Sequence, residues 1–398
     1  MTIVVKVGSQ SLLRADVSTA GQTEGQGGRN LDRTFMADLV AQVAVLKQQG
    51  HIVYLISSGA VGTGRGLWQN HPKLSETATR QILAGIGQVE LMQTYRELAV
   101  EQGLHAVQIL LTKNDFIRRN HYLNVERLLL SMQDHPELLP VINENDSVSI
   151  DELMFTDNDQ LAGVLAQQLD ADLLLLLTDA SGVFDKDPRE SGARLLPLLG
   201  GRPWPRLEGK NNSGRGGISS KLETARKMSN AGLFSSISAA RQPQIILDTV
   251  SFVQQFMAVR NNAVRLQQWR IEWSDRPELG TLILPDSPQK NKKNLRGVRK
   301  WLSATNLSAS PSRIIVNKEL AKKLHSSKQA ISILPIGIID YKGEFTKGDL
   351  IDIYSIDREK IGIGLARYSH TQLSKAMMKQ NQAIFIHCNY LHIEKWDS

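Results

Sequence analysis

Cysteine is almost absent. Cys388 is the only one in 398 residues, which excludes an intrachain disulfide and a four-cysteine zinc site and fits a reducing compartment. Long apolar runs are missing as well. The opening MTIVVKVG is too short for the apolar core of a signal peptide, and LLLLL at 173–177 falls far below the roughly 20 residues a membrane helix needs. A cytoplasmic chain with no membrane segment is expected. The C-terminal half also lacks a run of interleaved aromatic and basic residues of the kind that stacks on nucleic-acid bases.

What is present describes a globular protein, 41% hydrophobic and 22% charged, and too long for one core. The net charge of +7 is unevenly placed. Between 286 and 330, eleven Lys and Arg face only Asp286 and Glu319, a net of +9 that leaves the remainder at −2. A solvated linker accounts for that segment better than a nucleic-acid footprint does.

From residue 1 to about 240, short runs of Val, Ile and Leu alternate with segments of helical period. Strands are predicted at 2–7, 51–56, 106–111, 138–143, 172–177 and 233–239. Helices are predicted over 35–50, 78–98, 124–132, 158–169 and 221–230, the first with Phe35, Leu39, Val43 and Leu46 on one face and Gly50 at its end. Continuous apolar strands between helices imply an α/β fold with a mostly parallel sheet sandwiched between helices. The stretch 14–30, rich in Gly, Gln and Thr, reads as a mobile loop, and PDSPQKNKKN at 285–294 as a linker. Beyond it, one short helix at 318–324 and turn-separated strand pieces, including DLIDIYSI at 349–356, form a small β-rich domain.

In parallel sheets, ligands bind beyond the carboxyl ends of the strands. The residues there are small or polar: KVGSQS, SSGAVG, INEND and TDASG. Lys6, Gly8, Ser9 and Ser11 form one turn suited to an anion, and Ser58, Gly59 and Ala60 another, although plain turns fit equally well. NNSGRGGISSKLETARK at 211–227 is stronger. Glycines precede Ser219, Ser220 and Lys221 at a helix start, so amides, hydroxyls and an ammonium converge, and a phosphate cradle is favoured over a capped flexible loop. The loop after Ile142 packs four Asp, two Glu and three Asn into seventeen residues. Its Asp146, Asp157 and Asp159, with Asn143, Asn145 and Asn158, suit a metal, a charged ligand such as an amino-acid ammonium, a carboxylate that holds two lysine heads for phosphoryl transfer, or plain solvation. The spacing does not match an EF-hand.

Taken in order, VVKVGSQSL, ISSGAVGTGR, LAGIGQVELMQTY, LLTKNDFIRRNHYLN, PVINENDSV, FTDNDQLA, LLLLTDASGVFDKDP and GRGGISSKLETA resemble the glutamate 5-kinase family of the amino-acid kinase fold. The region from IIVNKELAKKL to GLARYS resembles a PUA domain. The resemblance implies an amino-acid kinase domain at 1–284, a linker at 285–311 and a PUA-like domain at 312–395. It implies ATP-dependent phosphorylation of the γ-carboxylate of glutamate, the first step of proline synthesis, with magnesium accompanying ATP. By the same likeness Lys6 and Lys221 neutralise charge on the transferring group and Asp159 orients them. Gly8, Ser9, Gly216 and Gly217 cradle phosphates, Thr178 and Asp179 lie at the nucleotide, and Ser58, Asn143, Asp146 and Asn158 hold glutamate. No protein metal ligand is implied. Proline as feedback inhibitor and a homo-oligomer are further implications. Phosphoryl transfer asks for in-line positioning and charge neutralisation rather than a Cys or His nucleophile, which suits this residue set.

Arg215, Ile218 and Ser220 stand where the family usually shows Thr, Met and Thr. The stretch 253–273, VQQFMAVRNNAVRLQQWRIEW, is extra and reads as an added surface helix in preference to an assembly contact. The competing reading of the whole chain is an RNA-binding protein that uses the basic segment and the PUA-like domain, with the kinase part idle.

Overall fold

The structure, a computed structural model, describes residues 1–15, 29–69, 74–148, 158–200, 217–286, 301–302, 310, 312–326, 331–377 and 383–393. Two compact units emerge: Met1–Lys113 with Leu123–Lys292, and Asn114–Tyr122 with Lys293–Ser398.

In chain order the strands of the first unit are β1 (Thr2–Val7), β2 (Leu13–Ala15), β3 (Arg29–Leu31), β4 (Ile52–Ser57), β5 (His105–Leu111), β6 (Leu138–Glu144), β7 (Leu173–Thr178), β8 (Leu198–Leu199), β9 (Phe234–Ala239) and β10 (Thr281–Ile283). Eight of them make one sheet in the order β5-β6-β4-β1-β7-β9-β10-β8. Every pairing from β5 to β9 is parallel, and β10 turns antiparallel against β9. The central strands are buried on both faces, β1 from Ile3 to Val7 and β7 throughout, as strands covered by crossover helices must be. Ile3, Val5 and Val7 enter one core with Leu39, Val43 and Leu46 of the helix Arg33–Gln48 and with Leu91, Tyr95 and Leu98 of the helix Glu76–Glu101. Strand alternation then sends Lys6 to the opposite face.

The chain leaves β1 towards β4 on one side, and after β6 it crosses to β7 on the other. The order therefore reverses beside β1, the position where an open α/β sheet offers a crevice. Each of the six predicted strands is present within a residue or so of its expected bounds. The helix predicted from Lys221 begins earlier, at Ile218. The ends of the stretch read as a mobile loop are ordered: Leu13–Ala15 and Arg29–Leu31 pair antiparallel, while 16–28 lie outside the described residues.

The stretch 253–273 is a correction. It is not a surface helix but parts of two packed helices, Ile245–Val259 and Ala263–Ser274. Trp269 and Trp273 are 3% and 0% exposed, and their indoles donate to the Phe252 and Pro197 carbonyls at 2.9 and 2.8 Å. Phe256 sits edge-on to both Phe234 and Trp269, at centroid separations of 5.0 and 4.9 Å. Aromatic area buried against β9, with each indole N–H satisfied, makes this hairpin part of the core.

The second unit carries β11 (Arg313–Val316), β12 (Ile338–Lys342), β13 (Leu350–Tyr354), β14 (Lys360–Leu365) and β15 (Leu391–Ile393) in the order β12-β11-β13-β14-β15. Ile314, Ile353, Phe345 and Phe385 centre its core. Beside the expected helix, Lys318–Ser326, it holds a second, His370–Met377. Most of the stretch read as a linker lies outside the described residues, but Trp301 and Leu302 within it are buried, and the Trp301 indole donates to the Phe116 carbonyl at 2.7 Å.

The helices Ala60–Leu67 and Glu76–Glu101 cross at two glycines. A Cβ on Gly87 would fall on the Ala60 carbonyl oxygen, and one on Gly64 on the Leu83 carbonyl, whereas Gly85 faces open space. Gly87→Ala should therefore cost about 1–3 kcal/mol by overpacking. Gly85→Ala, on the same helix, should gain up to about 1 kcal/mol from helix propensity. Urea unfolding midpoints of the two variants check the opposite signs.

Candidate active site

β1, β4, β6 and β7 all end at the same edge of the sheet, and the residues that follow each of them build the site. Gly8 continues β1, and its N–H donates to the Leu177 carbonyl at 3.3 Å. A Cβ there would stand 3.9 Å from the Lys6 ammonium, so glycine leaves open the space through which an anion would reach that charge. Ser9 opens the short helix Ser9–Leu12. After β4 comes Ser58, then Gly59 at φ 104, a left-handed conformation that favours glycine and starts the helix Ala60–Leu67.

The helix Asn158–Gln168 lies in the crossover from β6 to β7 and brings Asp159, completely buried, under the end of β1. Lys6 meets one carboxylate oxygen of Asp159 at 2.8 Å, and Lys221, from the first turn of the helix Ile218–Asn230, meets the other at 3.0 Å. The two ammonium groups come from positions 215 residues apart in the chain and are themselves 4–5% exposed. Burial pushes the Asp159 carboxyl upward, but the two adjoining lysines outweigh it and hold the group below its ordinary range. Two buried ammonium groups share this one carboxylate with little water around them, a setting in which a phosphoryl group is attracted.

Gly217 caps the helix of Lys221 without a side-chain hydrogen bond, so the first amides of that helix face outward, suited to an anion. Gly216, with Gly214 and Arg215, lies outside the described residues, as does Asp157. At the end of β7, Thr178 donates its hydroxyl proton to Asp179 at 2.9 Å, and the Asp179 carboxylate is exposed.

A second group of polar side chains sits on the β4–β6 side. The Asn158 amide donates to Ser58 Oγ and to Asn143 Oδ1, both at 2.9 Å, and Asn143 in turn donates to Gln88 Oε1 at 2.9 Å. Asn158 Oδ1 is buried and accepts no hydrogen bond from the described residues, which makes it a ready acceptor for a ligand N–H. Asp146 pairs with Arg80 at 2.8 Å. Beside these groups lies a cavity of about 30 Å³, lined among others by Ala84, Gln88, Asn145 and Asp146.

The expected residues thus fall into two sets: Lys6, Asp159 and Lys221, with Gly8 and Gly217 at the strand and helix ends beside them, and Ser58, Asn143 and Asn158. Asp146, joined to Arg80, lines the cavity beside the second set. Arg80 and Gln88 are not singled out by sequence, since an Arg or Gln on a helix reads as a solvated residue. Their spacing of eight, with Ala84 between, is the signal that both share one helix face. Among the described residues no group of three or more His, Cys, Asp or Glu is arranged to hold a metal, and no helix is long and apolar enough to cross a membrane.

Residues 1–234 match the Amino acid kinase family and residues 312–386 the PUA domain. The glutamate 5-kinase of Bacteroides thetaiotaomicron is 32% identical over 395 residues, covering 98% of each chain. The chain belongs to the glutamate 5-kinase group of the amino acid kinase family. The glutamate 5-kinase of Chlorobaculum tepidum is 31% identical over 98% of this chain and 97% of its own, and that of Methylococcus capsulatus 34% identical over 95% and 90%. In this family member, therefore, the paired lysines stand on a kinase fold with the small domain appended.

The depressed Asp159 pKa sets a direction for acid stability. The carboxylate contributes fully above its unfolded value, and the contribution is lost as pH falls through the lower folded value. Asp159→Asn, which removes the carboxylate shared by two buried ammonium groups, should cost about 3–5 kcal/mol at pH 7. The gap between the parent chain and Asp159→Asn should stay constant down to about pH 5 and narrow below about pH 4, as read by urea unfolding across that range.

Proposed function

We propose that the chain transfers the terminal phosphoryl group of ATP to the side-chain carboxylate of glutamate, giving γ-glutamyl phosphate and ADP as the first step of proline synthesis. One observation carries the reading: Lys6 and Lys221 share the buried Asp159 beyond the end of β1, where the strand order reverses.

A glutamate γ-carboxylate oxygen attacks the γ-phosphorus, and the bond from phosphorus to the bridging oxygen of ADP breaks with its electrons going to ADP. The nucleophile is already an anion, so no general base is needed. Charge builds on the equatorial and leaving oxygens, and the two ammonium groups, held apart by Asp159, neutralise it without having to reorganise. Gly8 and Ser9 on one side and Gly217 on the other offer amides to the phosphates, family likeness adds Gly216 to that cradle, and Thr178 and Asp179 serve the nucleotide. Ser58, Asn143, Asp146 and Asn158 hold glutamate, with Asn158 Oδ1 and the Asp146 carboxylate accepting from its ammonium. Magnesium would enter with ATP rather than on a protein carboxylate cluster, and would supply further neutralisation of the phosphate charge.

Likeness to the family supports the remaining parts of the reading: a kinase domain over 1–284, a linker to 311, a PUA-like domain to 395, cytoplasmic location, a homo-oligomer and feedback inhibition by proline.

Purified protein with ATP, magnesium and glutamate, with hydroxylamine trapping the acyl phosphate, should give a glutamate-dependent hydroxamate. Lys221→Ala and Lys6→Ala should each lower kcat by at least about a hundredfold, the scale of losing one charge-stabilising donor. No turnover by the parent chain, together with tight and salt-sensitive RNA binding, would establish the competing reading instead.

A further inference from the structure

We propose that Arg80 is a specificity residue that binds the α-carboxylate of the substrate, exchanging its present partner, Asp146, for it. The inference rests on the glutamate reading and deepens it. An α-amino acid presents an ammonium and a carboxylate on the same carbon, so a site that selects it needs an anion and a cation side by side. Arg80 and Asp146 are such a pair, 2.8 Å apart and partly open, with side chains 30% and 14% exposed.

Their surroundings place the pair in the pocket. Arg80, Ala84 and Gln88 follow one another at intervals of four on one face of the helix Glu76–Glu101. Ala84 and Gln88 line the small cavity together with Asp146, and Gln88 is bonded to Asn143, which is bonded to Asn158. Without substrate the two charges neutralise each other, and neither is left bare. With substrate, the ammonium takes Asp146 and the unpartnered Asn158 Oδ1, and the α-carboxylate takes the guanidinium fork, which matches it bidentately. Asp146 follows β6, Ser58 follows β4 and Lys6 lies near the end of β1, so the strand ends that carry Asp146 and Lys6 are two strand spacings, about 10 Å, apart. An amino acid anchored at Asp146 and Arg80 can lay its side chain across the end of β4 and present its second carboxylate towards them.

The sign of the effect separates this role from simple shielding. If Arg80 only masks Asp146, its removal lowers the KM for glutamate. If it binds the α-carboxylate, removal raises it. Steady-state hydroxamate assays on Arg80→Gln should show the glutamate KM rising at least about thirtyfold, the worth of a charged hydrogen-bond pair, while the KM for ATP stays within about threefold. Arg80→Lys, which keeps the charge without the fork, should recover part of the loss. The preference of the parent chain for glutamate over its α-carboxamide analogue, in kcat/KM, should collapse in Arg80→Gln. A glutamate KM that falls or stays within about threefold, or an undiminished preference over the amide, overturns the proposal. If the unaltered chain makes no glutamate-dependent hydroxamate, the functional reading itself has failed, and this inference with it, before any variant is compared.

Discussion

A carboxylate held between two ammonium groups is the interaction on which this molecule turns. Removed from water, Asp159 would be costly as an anion and each lysine costly as a cation. Together they are tolerated because every charge has an opposite within 3.0 Å. Within these three side chains the cations outnumber the carboxylate two to one. That excess suits a phosphate-bearing ligand.

Holding that triad requires three pieces of chain that meet only through the sheet. β1 supplies Lys6 by strand alternation, the crossover helix supplies Asp159, and the helix after the glycine-rich segment supplies Lys221. The reversal of strand order beside β1 opens the space above them. The same edge supplies Ser58 and Asn143 at the ends of β4 and β6, so this polar set and the lysine–carboxylate triad are set by one backbone frame rather than by independent loops.

Much of this was legible in the sequence because it depends on local pattern. Buried parallel strands read as unbroken Val, Ile and Leu, and the polar residues after them mark the strand ends. The aromatic hairpin was misread, since Trp269 and Trp273 are spaced like a stripe on any amphipathic helix, and the residues that bury them, Phe234, Phe252, Phe256 and Pro197, are partly remote in sequence. The helix His370–Met377 was hidden among strand pieces, and its one fully buried residue, Leu373, gives almost no apolar period. Arg80 was invisible for a related reason: its meaning lies in Asp146, which is 66 residues away.

The glycine crossing between the helices Ala60–Leu67 and Glu76–Glu101 ties these themes together. Backbone rests directly on backbone there, with no side chain between to act as a cushion. The turn bearing Ser58 and the helix bearing Gln88 and Arg80 are thereby made one rigid part, like two faces of a single bracket. A shift of either face would carry the other along, so the width of the cavity between them is fixed by main-chain contact rather than by adjustable rotamers.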